Sequence, residues 1–190
     1  MVQGLILAGG LSSRAETNKM ILRIRGMELI CHTVEAMQDF VDDIFVVTGF
    51  YHESTCDAVN DYNKVMVVRN PFYERGMFSS VQYGSKFIDR DFFIIPGDVP
   101  FVEKSTYKKI LSAKGMVRIP VHHGHSGHPV FVSKELLPDL RNEPKDSNLK
   151  LFLDKHHPTF VEVDDEAILF DVDTIEDLEK LKKQSKGSGI

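Results

Sequence analysis

The feature that most limits how this chain can fold is a regular alternation of short apolar runs with amphipathic stretches. Val2–Ala8 reads as a buried strand, and the residues after it read as a loop reaching about Met20. Ile30, Val34 and Met37 then recur at helical spacing, which predicts a helix over 28–40. Strands are predicted over 44–48, 65–68 and 92–95, the last closed by Pro96 and Gly97. Ser79 and Ser80 can cap a helix running to about Ile88. A helix over 104–113 precedes two strands, 116–120 and 129–132, placed around a glycine-histidine loop. Ser133 caps a helix over 134–140, and a further helical piece covers 148–155. The pattern closes with strands over 159–163 and 168–172 and a helix over 174–183. Strands alternating with helices imply an α/β fold with a mostly parallel sheet covered on both faces. In such sheets ligands bind at the carboxyl ends of the strands, so the loops there are the ones to read for chemistry.

Length and composition narrow the function classes. The 190 residues hold no internal repeat or linker, so 1–184 reads as one domain and 185–190 as a flexible polar tail. A net charge of -5 argues against a broad nucleic-acid surface but leaves room for a phosphate held by a few local donors. The N-terminus has no basic segment, and its apolar run is too short for a signal peptide or a membrane span, so a cytoplasmic location is expected. Cys31 and Cys56 lack metal-type spacing and read as idle thiols.

The loop after the first strand runs Leu7-Ala8-Gly9-Gly10-Leu11-Ser12-Ser13-Arg14, with Lys19 five residues on. Paired glycines let the backbone turn and bring its N–H groups close to an anion. Ser12 and Ser13 add small donors, and Arg14 and Lys19 add positive charge. These parts suit a triphosphate, although the loop has neither the Walker ending nor the dinucleotide spacing. At the end of the fourth strand, Pro96-Gly97-Asp98 offers a carboxylate of the kind a hard cation shares with phosphate oxygens. A turn aspartate capping local backbone is the alternative. Asp171 and Asp173 lie two apart, so in an extended strand they point the same way. One of them can complete a metal site with Asp98, with Asp171 favoured, while the other joins Thr174 in capping the last helix.

Other segments address the substrate side. In Asn70-Pro71-Phe72-Tyr73-Glu74-Arg75-Gly76-Met77-Phe78-Ser79-Ser80, Gly76 permits a tight approach and the two serines open a helix whose free N–H groups face a ligand. His122-His123-Gly124-His125 invites a zinc reading, but no cysteine or supporting acid accompanies it. Contact of these loop histidines with substrate or solvent is the favoured alternative.

Taken in order, these motifs resemble those of the nucleotidyltransferases that include molybdenum cofactor cytidylyl- and guanylyltransferases, the MobA/MocA-like NTP transferases. The resemblance runs from Leu7 to Leu178. It covers the glycine loop, the Gly97-Asp98 element, the Gly-Met-x-Ser-Ser stretch, Gly127-His128-Pro129-Val130 and the closing Asp171-Val172-Asp173-Thr174. The chain departs from the family pattern at Ala15 and Glu16, and in Lys145-Asp146-Ser147-Asn148-Leu149-Lys150, where Gly-Asp-x-Gly-Ala-Arg is usual, so that both glycines are lost and lysine replaces arginine.

The resemblance implies a single-domain Rossmann-like three-layer sandwich of the nucleotide-diphospho-sugar transferase type. It implies a Mg²⁺-dependent reaction in which an acceptor phosphate attacks the α-phosphorus of an NTP and pyrophosphate leaves. Leu7, Ala8, Gly9, Gly10, Leu11, Ser12, Arg14, Lys19, Ser79, Ser80, Pro96 and Gly97 are then the nucleotide-binding residues. Arg14, Lys19 and Asp98 are the catalytic set, and Asp98, Asp171 and Asp173 the metal candidates. Gly127, His128, Pro129 and Lys150 lie on the acceptor side. The implied acceptor is molybdopterin bearing its metal, with transient contact to a molybdoenzyme or a cofactor-delivery protein. The Gly-Met-x-Ser-Ser and Gly-His-Pro-Val elements favour CTP, whereas the Ala-Gly-Gly loop looks more like the guanylyl branch. A sugar or polyol phosphate acceptor, and a nucleotide-binding protein without turnover, are the alternative readings.

Overall fold

A computed structural model describes residues 1–10 and 18–172 of the chain. In chain order the strands are β1 Val2–Ala8, β2 Arg23–Ile24, β3 Met27–Glu28, β4 Asp43–Thr48, β5 Val65–Arg69, β6 Asp91–Pro96, β7 Val117–His122, β8 His125–Ser126, β9 Val130–Val132 and β10 Thr159–Glu162. The α-helices are α1 Leu29–Met37, α2 His52–Val59, α3 Met77–Gly84, α4 Lys104–Ser112, α5 Leu137–Asn142 and α6 Leu149–Lys155.

The main sheet has the order β10-β7-β9-β6-β1-β4-β5, with β8 paired to β7. β1 runs parallel to β4 and β6, and β4 to β5. β9 is antiparallel to both β6 and β7, so the sheet is mixed but mostly parallel. The period-two alternation of side chains explains why the central strands are apolar throughout. Leu5 and Leu7 of β1, Phe45 and Val47 of β4 and Phe92 and Ile94 of β6 meet Phe78, Val81, Leu137, Leu140, Phe152 and Leu153 from α3, α5 and α6. The intervening Ile6, Ile44, Val46, Phe93 and Ile95 meet Ile30, Val34, Met37, Val59, Tyr107 and Ile110 from α1, α2 and α4. Two helical layers thus enclose one sheet, as the three-layer expectation requires.

Three local features differ from the sequence reading. The helix expected to start at the serine pair begins earlier: Gly76, at φ 92°, holds the capping position, and Ser79 and Ser80 lie inside α3. Residues expected as a strand at 168–172 begin instead in a 3-10 turn, Glu166–Leu169, because the Asp165 side chain accepts from the Ala167 N–H and closes it. α2 had no counterpart in the apolar pattern, since its buried positions are only Thr55 and Val59. The helix expected over 174–183 and the tail 185–190 lie outside the described residues.

Candidate active site

The carboxyl ends of β1, β4 and β6 converge, and the glycines permit the approach. The Gly97 N–H donates to the Leu7 carbonyl at 2.9 Å, so the turn after β6 lies against the end of β1. Thr33 of α1 donates to the Gly97 carbonyl at 2.9 Å and fixes that turn from below. A Cβ at Gly9 would stand 2.8 Å from the Ser80 hydroxyl, which occupies the space a side chain would need.

Lys19 enters this space from a short 3-10 turn, Lys19–Ile21. The turn is pinned by Asn18, which is 5% exposed. The Asn18 side chain accepts from the Met20 N–H at 3.0 Å and donates to the Ser54 and Thr55 hydroxyls at 2.8 and 3.2 Å. With its base clamped to α2, the Lys19 ammonium reaches Asp98 Oδ2 at 2.6 Å. Both side chains are mostly shielded, with 16% and 18% of their surface exposed, so the attraction is little screened by solvent. The other oxygen, Asp98 Oδ1, is buried and has no hydrogen-bond partner among the described residues. An unpaired buried carboxylate oxygen costs about 1–3 kcal/mol, which a ligand bound there would recover.

Asp98 also fixes the stretch that ends at Val172, because its carbonyl accepts from the Val172 N–H at 2.9 Å. That bond brings Asp171, which is exposed, alongside the site. Gly127 and His128 arrive from the strand next to β6. The Gly127 N–H donates to the Pro120 carbonyl and the His128 N–H to Ile168, both at 2.9 Å. The His128–Pro129 peptide is cis. Burial pushes the His128 pKa down from its ordinary value, opposed by the Ile94 backbone and by the charge of Asp98. Its Nδ1 is buried and has no hydrogen-bond partner among the described residues. Lys150, on the exposed side of α6, is committed to Asp154 at 2.6 Å, and no contact among the described residues joins it to His128 or Asp98. Leu11, Ser12, Arg14 and Asp173 lie outside the described residues.

The histidine run forms the β7–β8 hairpin, with His122 opposite His125. His122 is held by the Val163 carbonyl at 3.1 Å. Among the described residues no group of three or more histidine, cysteine, aspartate or glutamate side chains is placed to hold a metal ion. Cys31 and Cys56 are free thiols. No helix among the described residues is long and apolar enough to cross a membrane.

Two residues to which the sequence reading gives no role of their own hold the site together. Asn18 anchors Lys19, and Asn70 anchors the serine pair of α3 by donating to Ser79 at 3.0 Å and to Ser80 at 3.1 Å. The Asn70-Pro71 dipeptide marks a turn in the sequence, but nothing in it shows that the amide faces inward.

A glycine turn bearing a helix hydroxyl, and a lysine paired to an aspartate, meet in a mouth at the carboxyl end of the parallel strands, where their chemistry would suit a phosphate and a cation. A family model for the MobA-like NTP transferase domain matches residues 4–160. This chain belongs to that family. It is accordingly a nucleotidyltransferase. It is 28% identical over 184 residues to a molybdenum cofactor cytidylyltransferase of Escherichia coli strain K12, covering 95% of both chains. It is 27% identical to a probable molybdenum cofactor guanylyltransferase of Natranaerobius thermophilus, covering 96% of this chain and 95% of the relative. A Methanothermobacter nucleotidyl transferase superposes with a TM-score of 0.84 at 23% identity, over 100% of this chain and 99% of that one, and shares its fold.

Proposed function

We propose that this NTP transferase moves a nucleotidyl group, CMP in preference to GMP, from an NTP to the phosphate of molybdenum cofactor and releases pyrophosphate. The observation that carries the chemistry is the Asp98 carboxylate, held by Lys19 through one oxygen and left with a buried second oxygen that has no partner among the described residues. Likeness to the Escherichia coli cytidylyltransferase over 95% of both chains supports the choice of acceptor and of CTP.

A hard divalent cation fits that spare oxygen, and Mg²⁺ is the one assigned. Asp98 would hold it together with Asp171 or Asp173. When bound, it would supply charge neutralisation for the phosphate oxygens. The protein's own groups do the rest. Backbone N–H groups of Gly9, Gly10 and Leu11, with Ser12, Arg14 and Lys19, grip the triphosphate, while Leu7, Ala8, Pro96 and Gly97 shape its bed. Gly127, His128, Pro129 and Lys150 orient the acceptor, whose phosphate attacks the α-phosphorus in line with the departing pyrophosphate. No covalent enzyme intermediate is needed, because positioning and preorganised charge supply the acceleration. The reaction is placed in the cytoplasm, with the finished dinucleotide passed to a molybdoenzyme or a delivery protein.

Incubation with each α-labelled NTP, Mg²⁺ and molybdenum cofactor tests this reading. Label from CTP should appear in the cofactor. Label from GTP alone would reassign the base, transfer only to a sugar or polyol phosphate would reassign the acceptor, and NTP binding without any transfer would point to a protein that does not turn over.

A further inference from the structure

The hydroxyl beside Gly9 is set by a buried amide. Asn70 follows β5 and is 0% exposed. Its backbone N–H donates to the Thr48 carbonyl at 2.9 Å, which fixes its place between β4 and β5. Its side-chain orientation follows from chemistry: the Phe72 N–H, 2.9 Å away, can only donate, so the amide oxygen must face Phe72. Both amide hydrogens are then left for the two serines, Ser79 at 3.0 Å and Ser80 at 3.1 Å. Each serine oxygen accepts, so each hydroxyl proton has to be given elsewhere.

The two serines differ in where that proton goes. The Ser79 hydroxyl has the carbonyls of Phe72 and Gly76, at 2.9 and 2.7 Å, as acceptors for its single proton, and so ties the loop to the start of α3. The Ser80 hydroxyl is 2% exposed and donates no hydrogen bond among the described residues. Its oxygen stands where a Cβ on Gly9 would collide with it, 2.8 Å away. A buried hydroxyl with an unused proton therefore lies against the glycine loop.

We propose that Asn70 is a positioning residue for the nucleotide site, fixing Ser80 as its acceptor so that the Ser80 proton is offered to a hydrogen-bond acceptor of the nucleotide lying on Gly9. This rests on the reading that the nucleotide occupies that loop. It separates a structural serine, Ser79, from a ligand-facing one, Ser80. It also gives position 9 a reason to be glycine, since a methyl group there would displace the hydroxyl.

The test is calorimetric binding of CTP, GTP and inorganic tripolyphosphate with Mg²⁺, together with steady-state kinetics, for wild type, Ser80→Ala, Asn70→Asp and the double variant. Ser80→Ala leaves Asn70 bonded to Ser79 and Phe72 but strips one buried amide hydrogen of its acceptor, so it should fold cooperatively and melt a few degrees below wild type. It should weaken nucleotide binding about tenfold, the size of one polar hydrogen bond, and leave kcat nearly unchanged. Asn70→Asp keeps the acceptor for Phe72 but turns the donor into an acceptor, drawing the Ser80 proton inward, and should weaken binding at least as much. The double variant should bind no worse than Asn70→Asp alone. Equal losses for tripolyphosphate and both nucleotides would identify a phosphate oxygen as the acceptor, and losses that differ between CTP and GTP would identify the base. Wild-type affinity in Ser80→Ala, or additive losses in the double variant, would overturn the proposal. Should Asn70→Asp not fold, Ser80→Ala alone decides. Wild-type protein that binds neither nucleotide would instead sink the reading beneath it, and the proposal with it.

Discussion

Asp165 and Asp98 each follow a strand of the sheet and each bring a carboxylate inward, yet their oxygens are used differently. Asp165, 4% exposed, accepts from the Glu103 N–H at 2.9 Å and the Thr106 hydroxyl at 2.7 Å through one oxygen, and from the Ala167 N–H at 3.1 Å through the other. Every donor is neutral, two of the three come from a distant stretch of chain, and the result is a fastener joining the start of α4 to the turn after β10. Asp98 has a cation on one oxygen and, among the described residues, no partner on the other. The same residue type is structural where its hydrogen bonds are complete and is poised for a ligand where they are not. Burial alone does not separate the two roles. The unfilled acceptor does.

Substitutions can break or sharpen that contrast. The largest effect expected is on turnover in Asp98→Ala, which should fall about a thousandfold or more, as for the loss of a principal electrostatic contact in a transfer reaction. Its fold should persist, as judged by a cooperative melt and native circular dichroism. Asp165→Ala should reverse the pattern. Three donors lose their acceptor, so stability should drop by about 3 kcal/mol and the melting temperature by roughly 10 °C, with kcat per folded molecule unchanged. A loss of kcat in Asp165→Ala without a loss of stability would erase the distinction.

Lys19→Ala should raise the KM for NTP about ten- to a hundredfold, since it removes a charge-assisted contact in a shielded setting. Equal NTP affinity in wild type and variant would remove Lys19 from the triphosphate site. The smallest change is expected for Lys150→Ala. Its exposed pair with Asp154 is worth under about 0.5 kcal/mol, so thermal stability should hold while the acceptor KM rises a few-fold. An unchanged acceptor KM would leave Lys150 as a surface charge.

Much of this frame was legible from residue order. The alternation in β1, β4 and β6 gave a sheet buried on both faces, and the Gly9-Gly10 turn and Pro96-Gly97-Asp98 marked the strand ends that meet. Two kinds of information were hidden. α2 carries Ser54, Thr55 and Cys56 where an apolar stripe would announce a helix, because it is held to Asn18 by side-chain hydrogen bonds as well as by packing. Periodicity does not register such bonds. The roles of Asn70 and Asp165 were hidden for a related reason: each depends on which distant donors and acceptors face it, and a turn dipeptide or an isolated acid carries no trace of those partners. The same gap explains why Ser79 and Ser80 read as one capping pair, when their hydroxyl protons go to different places.

The most direct test of the central claim is acceptor-dependent pyrophosphate release from CTP and Mg²⁺ by wild type and Asp98→Ala, each confirmed folded. The account predicts release by wild type only when molybdenum cofactor is present, and its loss in Asp98→Ala. Equal release by the two proteins would contradict it, because the unfilled carboxylate would then have no part in the transfer.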